Sequence, residues 1–221
     1  ADDPKAAVKH LEQAVALASQ NSALQDDLGD AYCQTAQRAN VFTKMSWAGK
    51  CRTAYEKAVA LDPANVNAQL SLMSYYQQAP GIAGGGMEKA YAQADAVMKL
   101  DLARGRAARA GLLVADKKYD QAFDLYEQSL VGGPDDYLSL YAIGRLAATT
   151  GDRLERGIDA LRKSLTLAPP ANAPGHAAAH WRLGNLFEKK GDKAAARASY
   201  ETALKLDPSF AQARKSLSAL K

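Results

Sequence analysis

One spacing recurs five times along this chain and limits its possible folds more than any other feature. In each copy a small residue stands twelve positions before a proline, or before a leucine that replaces the proline. The pairs are Cys51 and Pro63, Ala90 and Leu102, Ala122 and Pro134, Gly157 and Pro169, and Ala196 and Pro208. Units repeated every few tens of residues cannot bury their apolar faces alone, so they stack on one another. The spacing therefore predicts a row of similar supersecondary units.

The last copy indicates what each unit is. Apolar residues recur at helical spacing on two segments, and Gly191 lies between them, where the chain has to turn. Gly184 and Ala196 are small at the points where two antiparallel helices would approach closely, and Pro208 suits the start of a further helix. Alanine, leucine, lysine, glutamate and glutamine dominate the composition, whereas β-branched residues are few. We therefore predict helical hairpins and an all-α fold.

These positions resemble the tetratricopeptide repeat (TPR) family, whose unit is a helix-turn-helix of about 34 residues with a W, LG, Y, A, F, A, P pattern. The resemblance covers nearly the whole chain and implies one domain over residues 1–221, a right-handed α-solenoid of about twelve helices. It implies a leading helix at 4–19 and a cap helix at 209–220, because terminal repeats need a solvated outer face. The five repeats between them are about 22–63, 64–102, 103–136, 137–170 and 176–208.

The first two repeats are longer than the others, by about ten and about five residues, at the same end of the solenoid. The first extension carries Phe42, Met45 and Trp47, and the second carries a glycine-rich stretch with Ile82. We expect the glycines to let the second extension turn tightly, so that Ile82 and Met87 cover the apolar side chains of the first. A protruding lobe that binds a partner is the alternative. The stretch APGIAGGG also resembles a loop pattern of bacterial repeat proteins, which implies a bacterial origin.

The glycine-rich stretch does not have the form of a nucleotide-binding loop. A P-loop follows a strand and ends in Gly-Lys-Ser/Thr, whereas Gly86 is followed by Met87 and Glu88 and preceded by a helical segment. A glycine loop ahead of a helix can still present free amides to an anion, so an incidental anion site stays open.

No constellation of catalytic residues is apparent, so we predict neither enzymatic activity nor a cofactor. His176 and His180 stand one helical turn apart, a spacing that can hold a metal, but they lack the acid of an HExxH motif and a third ligand nearby. Cys33 and Cys51 are compatible either with one disulfide, as the offset along two antiparallel helices would allow, or with two free thiols.

Charge and hydropathy restrict the partners. A net charge of +4 from mixed acidic and basic residues is too small to indicate nucleic acid. No stretch is long and apolar enough to predict a membrane span. The chain begins ADDPKAA, as an exported chain would after signal cleavage. We therefore expect a periplasmic or otherwise exported protein, with a cytoplasmic one as the alternative.

The resemblance also implies where a partner binds, since the first helices of successive TPR repeats line a concave surface. The matching positions are Asp26, Asp30, Asn67, Arg104, Tyr141, Arg145, Trp181, Arg182, Asn185 and Lys189. This surface would be acidic at the N-terminal end and basic, with two aromatic residues, at the other, which would orient an extended segment. Aromatic and arginine side chains dominate binding energy, so Tyr141, Arg145, Trp181 and Arg182 are the expected hot spots, with the core as the alternative for Trp181.

The functional expectation is a non-enzymatic module that binds a peptide segment or a partner helix in its concave face. The family's clamp for a C-terminal carboxylate is matched only by Arg182 and Asn185, so that ligand is not expected. Two other functions stay open: a subunit that self-associates through the extended hairpins, and a periplasmic protein that binds a small ligand or a metal.

Overall fold

The structure, a computed structural model, describes residues 4–220. Those residues form twelve α-helices and one short 3-10 helix, with no strand among them. This confirms the predicted all-α fold of repeated helical hairpins. The helices fall into two compact units, one up to Asp116 and one from Lys117 onward. The boundary lies in the turn of the predicted repeat 103–136, and a single domain over the whole chain stays a prediction.

Unit 1 contains the leading helix, two complete hairpins and the first helix of the third. Its helices are α1 (Pro4–Leu17), α2 (Ser22–Arg38), α3 (Val41–Leu61), α4 (Val66–Gln78), a 3-10 turn (Gly81–Ala83), α5 (Met87–Leu100) and α6 (Leu102–Ala115). Asparagine side chains fix three of the helix starts. Asn21, Asn40 and Asn65 accept hydrogen bonds from backbone amides in the first turns of α2, α3 and α4. Such caps satisfy amides that have no partner within the helix.

The long first repeat is made by lengthening both of its helices. Helix α2 has 17 residues and α3 has 21, whereas α5 and α6 have 14 each. Because Asn40 caps α3 directly after α2 ends, the extra residues do not form a loop. They form two helical arms that continue beyond the close contact between α2 and α3. We call these arms, residues 33–50, the extended hairpin.

A continuous apolar core runs through unit 1 from α1 to α6. Its buried members include Val8, Leu28, Tyr32, Tyr55, Leu72, Tyr76 and Leu112. Each hairpin contributes side chains to the same cluster, so no repeat has a core of its own. This is the packing expected of stacked repeats.

Unit 2 consists of α7 (Tyr119–Gly132), α8 (Tyr137–Thr150), α9 (Leu154–Ser164), α10 (His176–Lys189), α11 (Lys193–Leu206) and α12 (Ala211–Ala219). Helices α7, α9 and α10 all pack against α8, and ten of its residues are buried. The cap helix α12 packs against α11 and α10.

Candidate partner-binding surface

A cavity of about 750 Å³ opens beside the extended hairpin of unit 1. It lies between α2, α3 and α4, and residues around the 3-10 turn close one side. Its lining combines apolar side chains with serines and amides, and Asp30 and Lys44 are the formally charged residues among those that line it. Its volume is in the range of ligand-binding sites.

A disulfide between Cys33 and Cys51 joins the two arms where they leave the repeat, with their Cα atoms 5.2 Å apart. Cys51 is completely buried, whereas Cys33 is half-buried and lines the cavity. The sequence alone left two free thiols as an equal alternative. The covalent link holds α2 and α3 together at the base of the extended hairpin and so fixes one wall of the cavity.

Beside the disulfide, a buried tyrosine positions the carboxylate of the cavity. The Tyr55 hydroxyl donates a hydrogen bond of 2.5 Å to Oδ1 of Asp30. Burial, and then the hydrogen bond to Asp30, raise the pKa of Tyr55, so the hydroxyl stays protonated and remains a donor. Asp30 is exposed at the cavity edge, where its charge can act on a ligand.

Two side chains hold the 3-10 turn against the helices. The buried Tyr75 of α4 donates a hydrogen bond of 2.8 Å from its hydroxyl to the carbonyl of Ala83. The guanidinium of Arg52 on α3 lies 3.4 Å from the same oxygen and 3.7 Å from the carboxylate of Glu56. The turn is therefore fixed to both α3 and α4.

Local backbone geometry explains the glycines after this turn. Gly84 has a φ of 86°, in the left-handed region, and a Cβ on Gly85 would lie 1.8 Å from the carbonyl oxygen of Ala79. The amides of residues 83–86 all donate to carbonyls of Tyr76, Pro80 or Gly81. Because these amides are already bonded within the loop, they are not available for the anion site that the sequence left open.

The expected cover of the extended hairpin by Ile82 is wrong. Ile82 is 88% exposed and Phe42 is 93% exposed, and Val41 is also mostly exposed. The hydrogen bonds to the Ala83 carbonyl hold Ala83 inward, so that only 6% of this residue is exposed, while the adjacent Ile82 faces solvent. Met87, the other expected cover, packs against the unit 1 core.

The remaining members of the predicted patch differ from one another. Met45 is exposed in part and lines the cavity. Trp47 is half-buried: its ring lies 5.9 Å from that of Tyr32, and the ammonium of Lys50 lies 4.8 Å from the ring centroid. Trp47 thus packs within the hairpin, and the exposed apolar surface at the tip comes from Val41 and Phe42.

The predicted groove residues of unit 1 lie along the first helices of successive pairs. Arg104 of α6 donates a hydrogen bond of 2.7 Å to the side-chain oxygen of Asn67 on α4. Burial raises the pKa of Asp26 on α2, and this outweighs a hydrogen bond from Ser71 of α4, which lowers it. The structure therefore brings the predicted groove residues Asn67 and Arg104 into contact and places Asp26 against α4.

In unit 2 the predicted hot spots separate into exposed and buried residues. Arg145 is exposed and hydrogen-bonds to the hydroxyl of Tyr126. Tyr141, in contrast, is buried, with only 8% of the residue exposed. Its ring stacks on that of Tyr137, with the ring centroids 6.4 Å apart. It is part of the packing of α8 rather than of an open surface, because neighbouring helices cover most sides of α8.

Trp181 packs against the cap of unit 2. Its indole Nε1 donates a hydrogen bond of 3.0 Å to Ser216 of α12, and its ring meets the edge of Phe210 at 5.6 Å. The guanidinium of Arg182 lies 4.2 Å from the Trp181 ring centroid. Of the alternatives for Trp181, these contacts favour the core.

Asn185 and Lys189 complete the predicted set on α10. The side-chain oxygen of Asn185 accepts a hydrogen bond of 2.8 Å from the buried Tyr200. Lys189 is exposed in the last turn of the helix. Asn185 thus positions a core tyrosine, while Lys189 faces solvent.

The histidine pair lacks the geometry of a metal centre. Nε2 of His176 lies 2.8 Å from the carbonyl oxygen of Leu167, so this nitrogen is engaged in a hydrogen bond with the backbone. Burial, followed by the charge of His176, lowers the pKa of His180. Over residues 4–220, His, Cys, Asp and Glu side chains form no group of three suited to a metal ion.

Sequence reasoning missed the amides that line the cavity, namely Gln34, Gln37 and Gln78. They lie at the far ends of α2 and α4, beyond the positions carried over from the repeat pattern. The only signal for them was the extra length of the first two repeats. Among the described residues no helix is long and apolar enough to cross a membrane.

Comparison with known proteins supports the repeat assignment. Residues 177–210 match the family model described as tetratricopeptide repeat. The fold is similar to that of a tetratricopeptide repeat protein from Parabacteroides merdae ATCC 43184, with 15% identity and a TM-score of 0.63 over 97% of this chain and 77% of that one. No curated protein is significantly similar in sequence.

Two further structures have the same fold. YrrB, described as a TPR protein with an unusual peptide-binding site, is 14% identical, with a TM-score of 0.53 over 95% of this chain and 98% of that one. A chain of the APC/C hetero-tetramer Cut9-Hcn1 is 14% identical, with a TM-score of 0.63 over 99% of this chain and 39% of that one. At these identities the likeness is one of fold.

Proposed function

We propose that this chain, whose fold is that of tetratricopeptide-repeat proteins, is a non-enzymatic scaffold that binds a peptide segment or a partner helix. The observation that carries the proposal is the cavity of unit 1, where residues of α2 and α4 meet the extended hairpin. The site is concave, mainly apolar and supplied with a few polar groups, which is typical of recognition sites. The peptide-binding site described for YrrB supports a peptide as the class of ligand.

The chemistry of the cavity favours binding over catalysis. The hydroxyl of Tyr55 holds Asp30, and Cys33 is part of a disulfide and so supplies no thiolate nucleophile. The remaining polar groups of the lining are serines, amides, one lysine and the hydroxyl of Tyr75, which is bonded to the Ala83 carbonyl. Such groups position a ligand by hydrogen bonding.

A matched pair of variants tests the proposal in a pull-down from extract of the source organism. Ser74→Arg places a long charged side chain in the cavity wall, while Ser218→Arg adds the same charge to an exposed position on α12. We expect the unaltered chain and Ser218→Arg to retain a partner that Ser74→Arg loses, with all three equally folded by circular dichroism. Equal retention by all three would remove the cavity as the binding site.

We also propose that the protein works in an oxidising compartment such as the bacterial periplasm. Disulfides persist in exported proteins and are rare where thiol reductants are abundant. The link between Cys33 and Cys51 supports this location. Because Cys51 is completely buried, the test uses cells quenched in acid, with the protein then denatured and alkylated, and both sulfurs should stay unmodified until a reductant is added. Modification of both without a reductant would favour the cytoplasm.

Self-association through the extended hairpin is a second candidate function. The nearly full exposure of Val41 and Phe42 at one helix start favours it. Light scattering over a wide range of concentrations should show a rise in mass that Phe42→Ser abolishes. A mass that does not change with concentration would exclude this function.

A further inference from the structure

We infer that the cavity beside the extended hairpin recognises an extended peptide in which an apolar side chain stands next to a lysine or arginine. This inference rests on the proposed scaffold function and specifies the chemistry of its ligand. Three properties of the lining carry it: apolar side chains, a carboxylate on α2, and amides near the ends of α2 and α4.

The apolar part of the lining receives the anchor side chain. It includes Met45 and Ala48 of α3, Pro80 and Ala83 around the 3-10 turn, and Leu70 of α4. Methionine is unbranched and adapts to side chains of different shapes. The disulfide and the hydrogen bonds to the Ala83 carbonyl fix the positions of these walls before any ligand binds, which lowers the ordering cost of binding.

The α2 wall supplies negative charge. Oδ1 of Asp30 accepts the Tyr55 hydrogen bond, and no other side chain in the described part of the chain bonds Asp30. Asp26 and Asp27 lie one turn earlier on the same helix and raise the local negative potential. Lys44 is the one cation among the described lining residues, and it belongs to α3. A cationic ligand group is therefore attracted to Asp30.

The amides indicate a peptide rather than a small amine. Gln34 and Gln37 of α2 and Gln78 of α4 line the cavity. A glutamine amide offers both donors and an acceptor, which matches the alternating N–H and C=O groups of an extended main chain. An amine without a main chain would leave these amides without a ligand partner.

The test uses random twelve-residue peptides displayed on phage and panned against the full chain. Asp30→Asn removes the charge but keeps the oxygen that accepts from Tyr55, so the fold is retained. Asp159→Asn makes the same change at an exposed position on α9 in unit 2 and serves as the matched control. We expect the unaltered chain and Asp159→Asn to select an apolar residue beside Lys or Arg. Asp30→Asn should keep the apolar preference and lose the basic one.

A selected peptide then quantifies the contact by fluorescence anisotropy. The peptide should bind Asp30→Asn about fivefold more weakly than the unaltered chain, as expected for a partly solvated ion pair. Replacing the peptide's basic residue by glutamine should weaken binding to the unaltered chain by the same factor and to Asp30→Asn hardly at all. Equal affinity of the original peptide for both proteins would overturn the inference.

Ser74→Arg separates failure of the inference from failure of the proposed function. Selected peptides should not bind this variant. If they bind it undiminished, the peptide site lies elsewhere and the inference falls, while the scaffold function stands. If no peptide is selected but a partner from extract is still lost with Ser74→Arg, a folded partner surface replaces the peptide. If no peptide is selected and no variant changes retention from extract, both proposals are contradicted.

Discussion

The first hairpin of unit 1 and the last hairpin of unit 2 are built on the same local device. Gly29 and Gly184 each face a tyrosine ring, and a Cβ on either would lie within 2.4 Å of a ring atom of Tyr55 or Tyr200. The residue after each glycine, Asp30 or Asn185, accepts a hydrogen bond from the same tyrosine. The repeat pattern therefore fixes an equivalent contact between two helices at both places.

What differs is how each hairpin continues beyond this contact. In unit 1 the two arms extend past it and leave an open cavity beside Asp30. In unit 2 the cap helix follows, and Trp181 and Phe210 pack where α10 meets α12. The repeat therefore determines the contact between helices, while additions to the repeat determine whether a face stays open to a ligand.

Removing the disulfide, which only the first hairpin has, should cause the largest loss of stability and should affect that hairpin alone. Replacing Cys33 and Cys51 with alanine frees a loop of 17 residues, and we expect the free energy of unfolding to fall by about 3 kcal/mol. Hydrogen exchange measured by mass spectrometry should show the loss in α2 and α3, with no change in α10 and α11. Uniform loss of protection in both hairpins would contradict the local role of the disulfide.

If Gly29 and Gly184 have the same role in their hairpins, replacing either one should cost a similar amount of stability. Gly29→Ala and Gly184→Ala each force a methyl group against a buried tyrosine ring, so each should lower the free energy of unfolding by about 2 kcal/mol. Chemical denaturation of the two variants measures this. Gly49→Ala is the control, because a Cβ there meets no atom within 4 Å. A cost at only one of the two glycines would show that the hairpins do not share the device.

Removing the tyrosine hydroxyls should have a smaller effect. We expect Tyr55→Phe and Tyr200→Phe each to cost about 1 kcal/mol, the usual net value of one intramolecular hydrogen bond. Tyr200 bonds both Asn185 and Glu188, each at 2.8 Å, so its loss should be the greater of the two. Thermal unfolding of both variants gives the order, and a greater loss for Tyr55→Phe would reverse this ranking.

The smallest effect is expected at the tip of the extended hairpin. Phe42 is almost fully exposed, so Phe42→Ser should change the free energy of unfolding by less than about 0.5 kcal/mol. Tyr200→Ser, in the core of the last hairpin, serves as the destabilising comparison. A marked loss of stability with Phe42→Ser in dilute solution would mean that the phenyl ring has a partner within the chain.

Much of the fold could be predicted because it depends on residues close in sequence. The twelve-residue spacing indicated the helices and their hairpins, and the extra residues of the first repeat indicated its extension. The direction of Ile82 could not be predicted, because it depends on Tyr75 and Arg52 bonding the Ala83 carbonyl. The burial of Tyr141 likewise depends on the helices that cover α8. Such outcomes require the packed neighbours, which local patterns do not contain.

The unequal burial of the two cysteines gives the cavity a chemical reporter of its own. The sulfur of Cys51 is shielded by the core, whereas Cys33 lines the cavity, so a small thiol that attacks this disulfide has to reach it from the cavity side. Exchange depends on access to the sulfur. A ligand bound in the cavity would block this access, so the rate of reduction would fall as the fraction of occupied protein rises. The half-life of one covalent bond thus measures occupancy without any added label.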